Sequence, residues 1–239
     1  MGITAAFVLA TVAAFANVPL VLLSMRADRQ ARTASDPAPA PVRRVIVERR
    51  HVYASLGLVA FVIAAGRGAR SSVVPLWADH IGASPAWVSG VFAIVGGAEL
   101  LLFYPAGLIM DRLGRTWAAV PTVALLGAGA LLLPLTASLA GLIVAAIVMA
   151  VGSGLGSGIV KTLGADAAPH DAPAQFLAGW SLLTQLGDSS GPLATSAAAS
   201  VILLGMTLAI FGLAVIAFVP YVLRVVPRYA PEFVGRRRT

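Results

Sequence analysis

Four ionisable side chains lie inside long apolar stretches of the sequence, where a charge is costly. They are Arg67, Arg70, Glu99 and Asp188. Each costs about 2.5–3.5 kcal/mol at the centre of a membrane helix on insertion scales, so residues of this kind commonly bind ligands or move protons. A carboxylate can carry a proton, and a guanidinium can bind an anion or alter the proton affinity of a neighbouring acid. The two acids are therefore candidate proton carriers, and the two arginines are candidate groups for substrate binding.

A purely structural role is the alternative for these four residues. Two arginines and two acids can neutralise each other as buried ion pairs, which are retained for specificity in some proteins. At 1.5 Å per helical residue, Arg67, Glu99 and Asp188 fall within roughly 3 Å of one depth, and Arg70 lies about one turn further along. Both interpretations, structural pairing and coupling to a solute or proton, stay open from the sequence.

The rest of the sequence gives little support to enzymatic or metal chemistry. There is no cysteine, so thiolate ligands are excluded, and the three histidines at positions 51, 80 and 170 lie far apart. A membrane-embedded enzyme is an alternative that would need paired aspartates or a Ser/His or His/Glu site. Asp166, His170 and Asp171 share one predicted loop but lack metal-ligand spacing. No catalytic residue, metal or cofactor is expected.

The composition predicts an all-α, polytopic transmembrane helical bundle. Hydrophobic residues make up 59% of the chain and charged residues 11%, against about 45–50% and 25% in soluble domains. Apolar runs of about 20 residues can cross a bilayer as helices, and continuous runs favour helices over barrel strands. The net charge of +7 does not indicate nucleic acid, because every basic residue except Arg67 and Arg70 lies in a predicted connection or tail.

The apolar runs predict seven membrane spans and a four-part organisation. The four parts are a first helix over residues 1–25, a linker over 26–52, a six-helix bundle over 53–223 and a basic tail over 224–239. The predicted spans are Gly2–Met25, Tyr53–Trp77, Trp87–Met110, Trp117–Thr136, Gly141–Val160, Gln175–Ala199 and Val201–Leu223.

The distribution of basic residues predicts the orientation of these spans. Seven arginines lie between Arg26 and Arg50, two in 111–116, Lys161 in 161–174, and five arginines in the tail. The alternate connections, 78–86, 137–140 and the turn near Ser200, hold none. Because cytoplasmic connections carry the excess of Lys and Arg, the basic side and the carboxyl terminus are expected in the cytoplasm. The protein is then an integral protein of the plasma or inner membrane, in contact with the lipid bilayer.

One connection carries a charged motif that a simple turn does not explain. It is the stretch "GLIMDRLGRT", which contains Gly107, Asp111, Arg112, Gly114 and Arg115. The pattern Gly-x-x-x-Asp-Arg-x-Gly-Arg resembles the signature loop of the major facilitator superfamily. That loop follows the second helix of the family's twelve and recurs, more weakly, at the equivalent place in the second half.

The resemblance extends to the layout of the whole chain and carries expectations with it. One helix, a long linker and six helices look like helices six to twelve of that family, so the fold expected is one helix plus a six-helix half. The family implies a secondary transporter that moves a small solute by alternating access, and proton-driven efflux is plausible. In the family this loop braces against the opposite half, so Asp111, Arg112 and Arg115 are expected to act as a conformational latch. The match departs from the family at Thr116, where a second basic residue usually stands.

The family's inverted three-helix repeats suggest where the site lies. Splitting the six helices into triplets makes Glu99 and Asp188 equivalent, and both first helices are interrupted by glycine, in "AAGRGAR" and "VGSGLGSGIV". The glycines of the second segment could serve close helix packing or ligand contact, and Pro192 in "LGDSSGPLATS" predicts a kink. The four glycines are Gly152, Gly154, Gly156 and Gly158.

The missing helices raise a third hypothesis about function. Half of a two-bundle transporter has a polar cavity wall with nothing opposite, so the chain is expected to be inactive alone or to depend on a partner. That partner would be an N-terminal helix bundle, in the same longer chain or in a separate subunit. The start "MGITAAF" has no cytoplasmic segment before it, which favours a shortened sequence. The solute, its direction and the coupling ion are not specified by the sequence.

Overall fold

The computed structural model describes residues 41–201 and 203–229, and within these ranges all regular structure is helical. The predicted span Gly2–Met25, the Ala/Pro-rich part of the linker and residues 230–239 of the tail lie outside the described residues. The helices are α1 (Val42–Glu48), α2 (Arg50–His80, with a π-helical turn at Tyr53–Gly57), α3 (Pro85–Arg112), α4 (Arg115–Leu135), α5 (Leu139–Ala167), α6 (Pro173–Val201) and α7 (Leu204–Tyr229, divided at Phe218).

Five of these helices are long and apolar enough to cross a membrane, namely α2, α3, α4, α5 and α7. The helix α6 has the length of a span but is not among the five. Its middle carries the polar sequence "TQLGDSSG", which lowers its mean hydropathy. The prediction of an all-α polytopic bundle is confirmed.

Helix ends differ from the sequence estimates at several connections. The helix α3 continues through Asp111 and Arg112, so the turn before α4 contains only Leu113 and Gly114. The helix α5 continues past Val160 to Ala167, which corrects the assignment of Lys161 and Asp166 to a loop. Nothing in these residues opposes helix propagation. The helix ends at Ala167, because the next residue, Ala168, has an extended backbone that the following Pro169 favours.

The linker and the last span also depart from expectation. Residues 42–48, expected to belong to an extended linker, form the short helix α1. The last span continues to Tyr229 rather than ending at Leu223, and it is divided at Phe218. Pro220 follows two residues later, and its missing N–H and bulky ring disfavour an unbroken helix.

The six long helices pack as two interleaved triplets, α2–α4 and α5–α7. The first helix of each triplet packs against the second helix of the other, so that α2 lies on α6 and α5 lies on α3. The third helices, α4 and α7, pack against each other. This exchange between triplets is what an inverted repeat produces, and it places the middles of α2, α5 and α6 side by side.

The apolar core is divided into two clusters along the helix axes. On α2 the first cluster ends at Ile63 and the second begins at Ala69. Arg67 lies between them. Arg67 therefore occupies the gap between two apolar layers rather than the interior of either.

Candidate functional site

The candidate site is built on a close crossing of α2 and α6. A Cβ atom at Gly68 would collide with the backbone carbonyl oxygen of Asp188, and one at Gly191 would collide with the carbonyl oxygen of Ala65. Pro192 lies within α6, and because it has no N–H it leaves the carbonyl of Asp188, four residues earlier, without its usual helical donor. The two backbones thus meet at the residue that carries the carboxylate.

A cavity of about 240 Å³ opens beside this crossing, between α2, α5 and α6. Its charged lining groups are two cations, Arg67 and Lys161, and one acid, Asp188. The remaining polar and aromatic lining residues are Ser157, Trp180, Ser181, Thr184 and Gln185. A cavity of this size suits a small solute, because sites for drug-sized ligands are typically about 300–1,000 Å³.

Arg67 reaches the cavity across the backbone of α5. Its Cδ atom lies 3.6 Å from the position that a Cβ atom on Gly156 would occupy, so the glycine leaves room for the side chain. The Nε atom is buried and has no hydrogen-bond partner among the described residues. Arg67 and the carboxylate-bearing Asp188 line the same cavity.

Trp180 forms one wall of the cavity and is fixed by a single hydrogen bond. Its indole Nε1 donates to the carbonyl oxygen of Val160 at 3.0 Å, and the residue is 3% exposed. The indole lies over Gly164, where a Cβ atom would come within 2.7 Å of the ring. This wall of the cavity therefore depends on Gly164, which lies one helical turn after Val160, the residue whose carbonyl accepts the hydrogen bond.

The other two predicted residues, Arg70 and Glu99, pair with each other instead of facing the cavity. Arg70 Nη2 and Glu99 Oε1 are 2.8 Å apart, with side chains 14% and 23% exposed. The contact is an ion pair without good hydrogen-bond directionality, since Oε1 has no hydrogen-bond partner within the described ranges. In the described part of the chain Asp188 belongs to no ion pair. The structure thus separates one paired acid from one acid that lines a cavity.

The charged motif joins α4 to the end of α5. Gly114, with φ of +100°, makes the turn in a backbone region open to glycine. Arg115 pairs through Nε with Asp166 Oδ2 at 2.9 Å, and its Nη1 donates to the carbonyl of Met110 at 3.3 Å.

The remaining motif residues lie on the surface of the described helices. Asp111 and Arg112 are exposed in the last turn of α3. No described atom lies within 4 Å of where a Cβ atom on Gly107 would be.

The four glycines of α5 pack alternately against α4 and α3. A Cβ atom at Gly152 would lie 3.1 Å from the carbonyl oxygen of Thr122 in α4. A Cβ atom at Gly156 would lie 2.7 Å from the methyl group of the same threonine. Cβ atoms at Gly154 and Gly158 would meet Leu102 and Met110 of α3, at 3.1 and 2.9 Å. Gly154 also lies opposite Glu99, as Gly68 lies opposite Asp188. The acids of both triplets therefore stand at glycine crossings.

Sequence reasoning missed most of the cavity lining, above all Lys161. On α6 the signal was present, because Ser181, Thr184, Gln185 and Asp188 recur at helical spacing and mark one polar face. Lys161 was assigned to a connection because α5 was taken to end one residue earlier. Among the described residues, no group of three His, Asp or Glu side chains comes together as a metal site.

The bundle of long apolar helices defines a polytopic membrane protein. A sequence model of the Major Facilitator Superfamily matches the chain twice, over residues 1–192 and 56–238. The chain belongs to this superfamily of transporters, and it is an integral membrane protein. No curated protein matches the sequence.

Proposed function

We propose that the protein is a proton-coupled secondary transporter in which Asp188 carries the proton and the cavity beside it binds a small solute. The observation that carries this proposal is the different surroundings of the two predicted acids. Glu99 is paired with Arg70 at 2.8 Å, whereas Asp188 lines a cavity of about 240 Å³. A carrier must exchange its proton with water, and an open cavity permits that exchange.

Proton binding at Asp188 would change the charge of the cavity strongly. The two cations and one carboxylate give one net positive charge when Asp188 is ionised and two when it is protonated. Because the cavity is lined by protein on three helices, charges in it are screened less than in bulk water, and such a change affects the binding of a charged solute. Arg70 and Glu99 are assigned to holding α2 next to α3.

Alternating access would use the crossings that surround the cavity. In transporters with inverted repeats, two bundles rock around a site near the middle of the membrane. The second bundle is proposed to lie against α3, as part of a longer chain or as another subunit. Support comes from the open face of α3, where Leu100, Leu101 and Tyr104 are 69%, 78% and 76% exposed.

The motif at the α3–α4 turn is proposed to latch one state of this cycle. Asp111 and Arg112 are exposed and available to another surface, while Arg115 ties the turn to Asp166. The orientation proposed from the basic residues places this turn, the cavity end of α5 and the carboxyl terminus in the cytoplasm.

The proton-carrier assignment is tested first without a solute. Infrared titration of the full chain in liposomes should show a carboxyl band that changes with pH and disappears in Asp188→Asn. The band should persist in Glu99→Gln and in the matched control Asp171→Asn, which alters an exposed residue of the α5–α6 connection. A band that survives in Asp188→Asn would contradict the assignment.

Transport is tested in the same liposomes with an imposed pH gradient. A carboxylate, an amine and a sugar are added in turn, and solute-dependent proton movement is recorded with an enclosed pH dye. We expect movement with wild type and Asp171→Asn, and none with Asp188→Asn. Wild-type movement in Asp188→Asn would assign the proton to another group.

A further inference from the structure

We infer that the cavity binds a small organic anion through Arg67 and Lys161, and that the anion binds together with a proton. The inference rests on the proposed transport function and names its solute class. It also predicts the direction of solute movement relative to the proton, because a solute that binds together with the proton crosses the membrane in the same direction as the proton. The inferred coupling is proton–anion symport, whereas the resemblance led us to expect efflux.

The charge balance of the cavity is the first argument. Arg67 and Lys161 face one carboxylate, and neither cation belongs to an ion pair in residues 41–201 and 203–229. Lys161 is exposed and Arg67 is half-buried, but the Nε atom of Arg67 is buried without a hydrogen-bond partner among the described residues. A buried polar group without a partner is costly, so the excess positive charge of the cavity favours a ligand of opposite sign. Lys161 is also the only lysine in the sequence, so the single ammonium group among seventeen basic side chains lines this cavity.

The hydrogen-bonding groups of the lining are the second argument. Ser157 donates its hydroxyl to the carbonyl of Gly154, and Thr184 donates to the carbonyl of Ser181, both at 3.0 Å. Trp180 donates to Val160. The cavity donors that remain for a ligand are thus the guanidinium of Arg67, the ammonium of Lys161, the amide of Gln185 and the hydroxyl of Ser181. Charged donors bind carboxylates more strongly than neutral ones do, and a guanidinium matches a carboxylate with two parallel bonds.

The linkage between anion and proton follows from the same charges. The charged groups that face Asp188 in the cavity are Arg67 from α2 and Lys161 from α5. Protonation of Asp188 leaves both cations uncompensated and strengthens anion binding. By thermodynamic reciprocity a bound anion strengthens proton binding by the same factor. A cationic solute would compete with the proton instead, as exchange of solute for proton requires.

The single lysine supplies a direct test of occupancy. The purified full chain in detergent is acetylated with an N-hydroxysuccinimide ester, and the modified Lys161 peptide is quantified by mass, apart from the terminal amine. Acetate, benzoate and succinate are the anionic probes, and acetamide, benzamide and succinamide are the neutral probes of similar shape. We expect at least one carboxylate to slow Lys161 acetylation roughly ten-fold at ten times its dissociation constant. The matching amide should have no effect, and protection by none of the carboxylates would overturn the inference.

Variants separate the anion site from general effects on the protein. Arg67→Gln should lose the protection by the carboxylate, with the Lys161 acetylation rate at each carboxylate concentration divided by the rate of the same variant without carboxylate. Arg43→Gln, an exposed arginine of α1, is the matched control and should keep the protection. Retained protection in Arg67→Gln would remove Arg67 from the site.

The pH dependence of protection distinguishes failure of this inference from failure of the proposed function. In wild type, carboxylate affinity should fall as the pH rises, while Asp188→Asn should bind tightly at every pH. Protection that does not vary with pH in wild type would retain the anion site but overturn joint binding with a proton. Protection by benzyltrimethylammonium, a cation that the ester cannot acylate, rather than by benzoate would overturn the anion class and leave Asp188 as the proton carrier.

Discussion

At the scale of single residues, the position of Trp180 depends on the absence of a side chain at Gly164. A Cβ atom there would come within 2.7 Å of the indole, so Gly164→Ala should displace the ring and weaken its 3.0 Å bond to Val160. Overpacking of this kind typically costs about 1–3 kcal/mol of unfolding free energy. Thermal unfolding in detergent, followed by tryptophan emission, should show a lower Tm than in wild type.

Gly97→Ala is the matched control for that substitution. Gly97 lies within α3, and no described atom lies within 4 Å of where its Cβ atom would be. Alanine is a better helix former than glycine by about 1 kcal/mol, so this variant should be as stable as wild type or more so. An unchanged Tm in Gly164→Ala would show that the ring has room to move.

The sequence predicts which residues are unusual, but it does not predict which of them form an ion pair and which line the cavity. Arg67, Arg70, Glu99 and Asp188 stand out because charge in an apolar run is rare. Their division into a pair and an open acid depends on crossings between helices that are distant in sequence. Lys161 was missed for a different reason, since a lysine near the end of an apolar run is equally compatible with a helix and a loop. The functional roles of all five residues stay predictions.

At the scale of helices, the ends of α4 and α5 are joined by Arg115 and Asp166. The pair is 2.9 Å long, with side chains 17% and 21% exposed. Partial burial reduces screening by water, so a double-mutant cycle with Arg115→Gln and Asp166→Asn should give a coupling on the order of 1 kcal/mol. The cycle is measured from unfolding free energies in detergent.

A second ion pair provides the control for this cycle. Arg44 and Glu48 of α1 are 2.8 Å apart but 69% and 54% exposed. Their coupling should be too small to detect in the same assay, because exposed pairs contribute little. Equal coupling energies in the two cycles would contradict the prediction that the more buried ion pair is the stronger one.

Helix existence was more predictable than helix ends. Apolar runs identify helices such as α3 and α5 because membrane spans must be apolar along their length. Their charged last turns continue the helix without adding hydropathy, so Arg112 and Asp166 were assigned to loops. The actual stops, Gly114 and Pro169, act through backbone conformation.

At the scale of the whole molecule, the interleaved triplets explain why the charges lie where they do. Each acid stands at the crossing of its own helix with the first helix of the other triplet, opposite Gly68 or Gly154. The arginines break the symmetry, because both belong to α2 and α5 has glycine and serine at the corresponding level. At the crossing of α3 and α5, Glu99 is therefore paired with Arg70. At the crossing of α2 and α6, Asp188 lines the cavity. This asymmetry supports a single solute site rather than two equivalent ones.

The orientation of the bundle can be tested directly because the sequence contains no cysteine. Single cysteines are introduced in cells at Ser84 and Ala137 in two uncharged connections, and at His170 and Asp171 in the α5–α6 connection. All four positions are exposed, and Ser84 makes no side-chain cap hydrogen bond that cysteine would remove. Because basic connections stay in the cytoplasm, a membrane-impermeant maleimide should label the first two in intact cells. The other two should react only after permeabilisation. The reverse pattern would place the cavity end of α5 outside the cell, and the proposed symport would then open to the exterior through Lys161.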